Sequence, residues 1–234
     1  MEIPLLQIDA FTSQAFKGNP AAVCLLDKAK PADWMQNVGA EMNLAETAFV
    51  VPRHEQGHYD LRWFTPAIEI PLCGHATLAS AHALWETGRL PETQEAHFYT
   101  MSGELICRRQ GKLIEMDFPA LIAEPATLPA AAVEALDIKP VNVVCHRRKD
   151  GSDGNFLIEL ESETDVRNVK PNFYALSKAA NAGFIISARG DSNYDFVSRY
   201  FACYAGIDED PVTGSAHCML TPYWAAKLGK TEMS

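Results

Sequence analysis

The chain has 234 residues, 47% hydrophobic and 21% charged; this is a folded globular composition, long enough for one large domain or two small ones, and it excludes a disordered chain. Twenty Lys and Arg against thirty Asp and Glu leave a formal charge of −10, which argues against binding nucleic acid or docking on anionic lipid, since both need basic surface. The opening Met1-Glu2-Ile3-Pro4-Leu5-Leu6 has no basic stretch and no sustained apolar run, so it does not read as a signal peptide.

In chain order, Ile3–Phe11 reads as a strand, Gly18-Asn19-Pro20 as a turn and Ala21–Leu26 as a second strand, too short to span a bilayer. Pro31 to Met42 reads as a helix, with Pro at its start and Trp34, Val38 and Met42 spaced by four. Thr47–Val51 and Tyr59–Phe64 are β-branched and aromatic, hence strands, and Thr65–Gly74, with two prolines, reads as a loop. His75–Thr87 is small and apolar and stops at Gly88, as a buried helix would. Three strands are expected at His97–Met101, Glu104–Arg109 and Leu113–Phe118.

Pro119–Pro129 carries three prolines and reads as a linker, dividing the chain into residues 1–118 and 119–234. Beyond it the pattern predicts a helix at Ala130–Leu136, strands at Val141–His146 and Asn155–Leu160, and a helix ending near Ala180. Strands at Gly183–Ala188 and Phe196–Phe201 and a last helix from about Gly214 complete it. Strands and helices mix without regular βαβ alternation, which favours the α+β class over a doubly wound sheet. His82, Trp85 and Trp224 fall in apolar helices and read as core.

Six cysteines stand at 24, 73, 107, 145, 203 and 218 with no C-x-x-C pair. Neither a metal site nor a disulfide framework is expected, and a reduced cytoplasmic protein is.

The two halves echo each other. Arg62-Trp63-Phe64, then Cys73-Gly74-His75-Ala76, then a helix reaching Trp85 is matched by Arg199-Tyr200-Phe201, then Thr213-Gly214-Ser215-Ala216, then a helix reaching Trp224. A glycine that opens a helix leaves backbone N–H groups and the positive dipole end available to an anion. Two such starts facing each other would grip a carboxylate; the alternative is two capped helices.

Four motifs carry a resemblance. Asp9-Ala10-Phe11-Thr12 with Phe16-Lys17-Gly18-Asn19-Pro20 is the first, and Glu41-Met42-Asn43-Leu44-Ala45-Glu46-Thr47-Ala48-Phe49 the second. Arg62-Trp63-Phe64-Thr65-Pro66 with Pro71-Leu72-Cys73-Gly74-His75-Ala76-Thr77-Leu78 is the third, and Glu209-Asp210-Pro211-Val212-Thr213-Gly214-Ser215-Ala216-His217 the fourth. Together they resemble the PhzF-like (phenazine-biosynthesis-like) isomerases, closest to the MAWD-binding-protein-like branch. The resemblance implies the diaminopimelate-epimerase-like fold: two pseudo-symmetric halves, each a curved mixed sheet around a central helix, with the site between them. It implies a cofactor-free, metal-free homodimeric enzyme that moves a proton on a small carboxylate-bearing, cyclic amino-acid-like substrate. By motif position it assigns the acid/base to Glu46, an orienting or relaying role to His75 and Asp210, and substrate contact to Ser215. The carboxylate would sit on backbone N–H groups at Gly74 and Gly214, with Asn19 and Cys73 also lining the substrate. Family members continue past the helix ending near Lys227-Leu228-Gly229, so the expectation is a shortened member lacking C-terminal strands at its sheet edges.

The residues bear their own readings. Glu46 lies between Leu44-Ala45 and the apolar run Ala48–Val51, where desolvation raises a carboxyl pKa toward that of a neutral-pH acid/base; otherwise it is a strand-end glutamate. His75 opens a helix, where the dipole disfavours imidazolium. Asp210 precedes Pro211 and is held extended or in a turn. Racemases of this fold place a cysteine before each helix-opening glycine; here the pair is Cys73 and Thr213. Threonine is a poor base, which disfavours two-base racemisation. A Cys73-dependent epimerase or dehydratase remains one alternative and a non-catalytic protein-interaction member another.

Overall fold

Alternation along the strands decides which side chains meet. The computed structural model describes residues 2–14, 16–191 and 193–234. In chain order it runs β1 (Leu5–Ala10), β2 (Asn19–Leu25), α1 (Ala32–Met42), β3 (Glu46–Pro52), β4 (His58–Phe64), β5 (Glu69–Ile70), α2 (Gly74–Glu86), β6 (Ala96–Thr100), β7 (Gly103–Gln110) and β8 (Leu113–Asp117). There follow β9 (Glu124–Pro125), α3 (Ala130–Leu136), β10 (Asn142–Arg147), β11 (Asp153–Glu159), α4 (Glu163–Asn168), α5 (Phe173–Ala179), β12 (Phe184–Arg189), β13 (Phe196–Ala202), β14 (Ile207–Asp210) and α6 (His217–Leu228). The chain is α+β and falls into two units. The first runs to Phe118 and takes in Val212–Ser215; the second holds Pro119–Pro211 and Ala216–Ser234.

In the first unit the sheet order is β1-β2-β3-β4-β6-β7-β8, with β5 beside β4. Pairing is mixed: β2 with β3 and β4 with β6 are parallel, the rest antiparallel. Successive side chains point to opposite faces. Val23, Leu25, Ala48, Val50, Leu61 and Trp63 pack with α2. Their neighbours Cys24, Leu26, Phe49 and Phe64 pack on the other face with Met35 and Trp34 of α1. Strands covered on both faces read as continuous apolar runs, as β2 and β3 do. Ten of the thirteen residues of α2 are buried, so this helix is apolar all round, as a core helix must be. Its buried hydroxyls Thr77 and Ser80 donate to the carbonyls of Cys73 and Ala76 one turn back.

The second unit repeats the plan. Its sheet order is β14-β13-β12-β11-β10-β9, with β11 and β12 parallel. Phe156, Ile158, Phe184, Ile186 and Phe201 face α3, α4 and α5. Val144, Leu157 and Ile185 face α6 with Met219, Leu220 and Trp224. Trp224 Nε1 donates to Ser187 Oγ at 2.9 Å, as Trp85 Nε1 donates to the Gln94 carbonyl at 3.1 Å.

Four expectations need correction. The loop at 65–74 contains β5, and Pro119–Pro129 contains β9, which pairs with β10; bridges of two residues are too short to show periodicity. The helix expected to end near Ala180 is α5, and α4 precedes it; Ser162 and Asn172 cap the two starts by accepting from Asp165 N and Ala175 N. The last helix begins at His217, with residues 214–216 in a turn. His82, on α2, is half-buried and does not belong to the fully buried core.

Candidate active site

The echo between the halves is longer than Gly-X-Ala. Glu69-Ile70-Pro71-Leu72-Cys73-Gly74-His75-Ala76 and Glu209-Asp210-Pro211-Val212-Thr213-Gly214-Ser215-Ala216 share Glu, Pro, Gly and Ala at the same spacing. Each glutamate holds an arginine with both carboxylate oxygens. Arg62 donates to Glu69 at 2.7 and 2.7 Å, and Arg199 to Glu209 at 2.7 and 2.9 Å. Each arginine also lies over the phenylalanine two residues on, at 5.2 Å for Phe64 and 5.1 Å for Phe201. Where the first copy has Ile70 opposite Trp63, the second has Asp210 opposite Tyr200. Asp210, expected in a turn or extended segment, ends strand β14 and is 8% exposed. Directly opposed residues share a face, so it lies with Tyr200 on the α6 side of its own sheet.

In the first unit the period of two collects the remaining groups. Asn19, Ala21, Val23 and Leu25 share the α2 side of β2, and Glu46 stands beside Ala21 in parallel register. Glu46 is thereby 6% exposed and Asn19 fully buried. His75, second residue of α2, is 2% exposed and turns its Nε2 to within 3.2 Å of Glu46 Oε2. Its Nδ1 lies 3.2 Å from Asn19 Nδ2 and 3.6 Å from Cys73 Sγ. The same Asn19 Nδ2 donates to the Val212 carbonyl at 3.1 Å. A carbonyl only accepts, so this contact fixes which way the amide points. Its second hydrogen then faces Nδ1, which must accept, leaving the ring proton on Nε2. Burial pushes the His75 pKa down to about 4, the Pro20 carbonyl acting the other way. At neutral pH the ring is uncharged, in agreement with its place at a helix start.

Gly74 has no room for a side chain, and Gly214 has little. A Cβ on Gly74 would lie 2.7 Å from Gly214 Cα and 3.1 Å from Ser215 N. The backbone at 214–215 thus runs directly against the start of α2. The amide of Asn19, expected from the resemblance to line the substrate, joins β2 to His75 and Val212, a task that no local spacing reveals.

Glu46, Cys73 and His75 each offer an atom within 4.8 Å of the others. Glu46 lies on the Nε2 side of the imidazole and Cys73 on the Nδ1 side, so an ion taken by one ring nitrogen would face away from one of them. Among the described residues no helix is long and apolar enough to cross a membrane.

Known proteins resemble this chain in sequence and in fold. An uncharacterised isomerase of Halalkalibacterium halodurans is 47% identical over 234 residues, covering 99% of this chain and 85% of that protein. A crystal structure of a PhzF-family phenazine biosynthesis protein from Enterococcus faecalis superposes with TM-score 0.84 at 40% identity, over 100% of this chain and 86% of that one. A probable proline racemase of Agrobacterium radiobacter, at 10% identity, TM-score 0.60 and coverage of 99% of this chain and 79% of its own, shares the epimerase-like fold. Residues 8–234 match the family described as phenazine biosynthesis-like protein; the chain belongs to that family and is an isomerase of the PhzF kind.

Proposed function

We propose that this isomerase works without a cofactor, moving a proton between two positions of a small carboxylate-bearing, cyclic amino-acid-like molecule, with Glu46 as the acid/base. The observation that carries the reading is the buried pair of Glu46 and neutral His75, 3.2 Å apart. A carboxyl taken from water favours its neutral form, and a proton acceptor with a pKa near the working pH is the efficient one. Glu46 takes the proton from an acidic C–H and returns it to another carbon of the same molecule. His75 Nε2–H steadies the carboxylate between the two transfers. Cys73 and Asn19 keep the imidazole in that tautomer, so Asn19 acts as a positioning residue as well as lining the substrate. The helix start at Gly74 and the backbone at Gly214 and Ser215 bind the substrate carboxylate. The orienting role of Asp210 is supported by its burial at the position where the first copy has Ile70. We expect the enzyme to be cytoplasmic and to work as a homodimer.

The test is incubation of candidate cyclic amino acids in heavy water, followed by NMR. Wild type exchanges a C–H for deuterium, and Glu46→Gln loses at least about a hundredfold in rate. Equal exchange by wild type and Glu46→Gln overturns the reading. The second reading is a Cys73-dependent elimination or epimerisation, favoured by the 3.6 Å approach of Cys73 Sγ to His75 Nδ1.

A further inference from the structure

The face of the first sheet turned away from α2 carries a second convergence of side chains. The parallel pairing of β4 and β6 sets His58 beside His97, and the antiparallel pairing of β6 and β7 sets Tyr99 opposite Glu104. Glu104 is therefore the diagonal neighbour of His97, within reach of its ring. The two imidazoles stack at 4.5 Å with 12° between their planes. His58 Nδ1 lies 2.9 Å from the Tyr99 hydroxyl, and His97 Nδ1 2.9 Å from Glu104 Oε1. Tyr99 in turn bonds to Glu104. On the far side of each ring stands another carboxylate: Glu55 is 3.5 Å from His58 Nε2 and Glu95 is 3.5 Å from His97 Nε2.

We propose that His58, His97 and Glu104 form a binding site for a divalent transition-metal ion of the zinc type. One ligand atom from each lies within 4.8 Å of the other two. Ligands at about 2.0–2.2 Å from zinc stand roughly 3 Å or a little more apart, and the His97–Glu104 separation of 2.9 Å already matches. A metal-bound imidazole commonly gives its other N–H to a carboxylate, which fixes the tautomer and raises the basicity of the ligating nitrogen. Glu55 and Glu95 stand where that partner belongs on both rings. Of the nearby cations, Arg53, over the Tyr99 ring, pairs with Asp60, while Arg108 pairs with Glu115 and with one oxygen of Glu95, whose other oxygen faces His97. The chemistry of two imidazoles and a carboxylate selects zinc, cobalt or nickel over magnesium or calcium. A bound ion would tie β4, β6 and β7 together, with Tyr99 moving aside or adding its oxygen. No sequence spacing announces the site, because its three ligands come from three strands.

The experiment is calorimetric titration of chelator-treated full chain with zinc chloride, together with cobalt(II) absorption spectra. The expected result is one equivalent bound, a rise in melting temperature on adding zinc, and visible cobalt bands without thiolate charge transfer. His97→Gln weakens zinc binding by about a hundredfold or more, and Glu95→Gln, which leaves every ligand in place, by about tenfold. Glu104→Gln gives the same loss as His97→Gln and guards against a folding defect in the histidine variant. Absence of stoichiometric binding, unchanged affinity in His97→Gln and Glu104→Gln, or a thiolate band that puts the ion on Cys73 would each overturn the proposal.

Discussion

Gly74→Ala places a methyl group where the chain has no space for it. Its Cβ would lie 2.7 Å from Gly214 Cα, against 3.4 Å for the start of ordinary contact, an overlap of about 0.7 Å. Both obstructing groups are backbone, so no rotamer change relieves the clash. Alanine gains up to about 1 kcal/mol over glycine inside a helix, while overpacking a tight site costs about 1–3 kcal/mol. The net expectation is a loss of about 1–2 kcal/mol, which for a chain of this size lowers the melting temperature by roughly 2–8 °C. The larger effect is on turnover. Moving the Gly214–Ser215 backbone by most of an ångström should slow proton exchange on the order of tenfold to a hundredfold. Gly214→Ala meets Gly74 Cα at 3.0 Å and Phe11 Cζ at 3.4 Å, so its effects should be smaller. Thermal denaturation and deuterium exchange by NMR read both quantities. If Gly74→Ala melts and turns over like wild type, the two glycine backbones are not packed as described and the carboxylate cradle loses its basis.

His75 makes the fold acid-sensitive. Its folded pKa of about 4 lies below the ordinary 6.5, so the unfolded chain binds the proton first. The stabilisation is complete above pH 6.5, falls as pH drops toward 4, and amounts to on the order of 3 kcal/mol; His75→Gln should flatten that part of a urea-denaturation series against pH. Asn19→Ala leaves the Val212 carbonyl and the His75 ring without their shared donor. It should cost about 1–3 kcal/mol in denaturant titrations and shift the pH profile of exchange, because the imidazole tautomer is no longer held. Arg199→Met should destabilise more than Arg62→Met in the same titrations. Besides Glu209, Arg199 donates to the Val166 and Val169 carbonyls at 3.0 and 2.8 Å; equal losses would show that those two bonds contribute nothing.

Much of the architecture is legible where apolar patterning is long. β2, β3 and α2 are runs of small and branched apolar residues covered on both sides, and such runs need few assumptions to read. Helix α3 lies at Ala130–Leu136 as read, behind Pro129. What escapes notice depends on partners far along the chain. β5 and β9 exist as strands only because β4 and β10 pair with them. The break between α4 and α5 is set by two capping side chains that a composition average hides. The echo was readable at Gly74 and Gly214, yet its more informative part lies upstream, where Ile70 in one copy becomes Asp210 in the other. Glu46 is marked by apolar neighbours on either side, but only strand register sets it against His75. Asn19 looks like a turn residue beside Pro20; its burial and its two hydrogen bonds, to His75 and Val212, follow from contacts 56 and 193 residues away.

The central claim is that the carboxyl of Glu46, and not the thiol of Cys73, moves the proton. Glu46→Gln and Cys73→Ser, assayed side by side for solvent deuterium incorporation into the same substrate, separate the two most directly. Exchange should be lost in Glu46→Gln and should persist in Cys73→Ser within about tenfold of wild type. Exchange that survives in Glu46→Gln and vanishes in Cys73→Ser would contradict the account and make the cysteine the base.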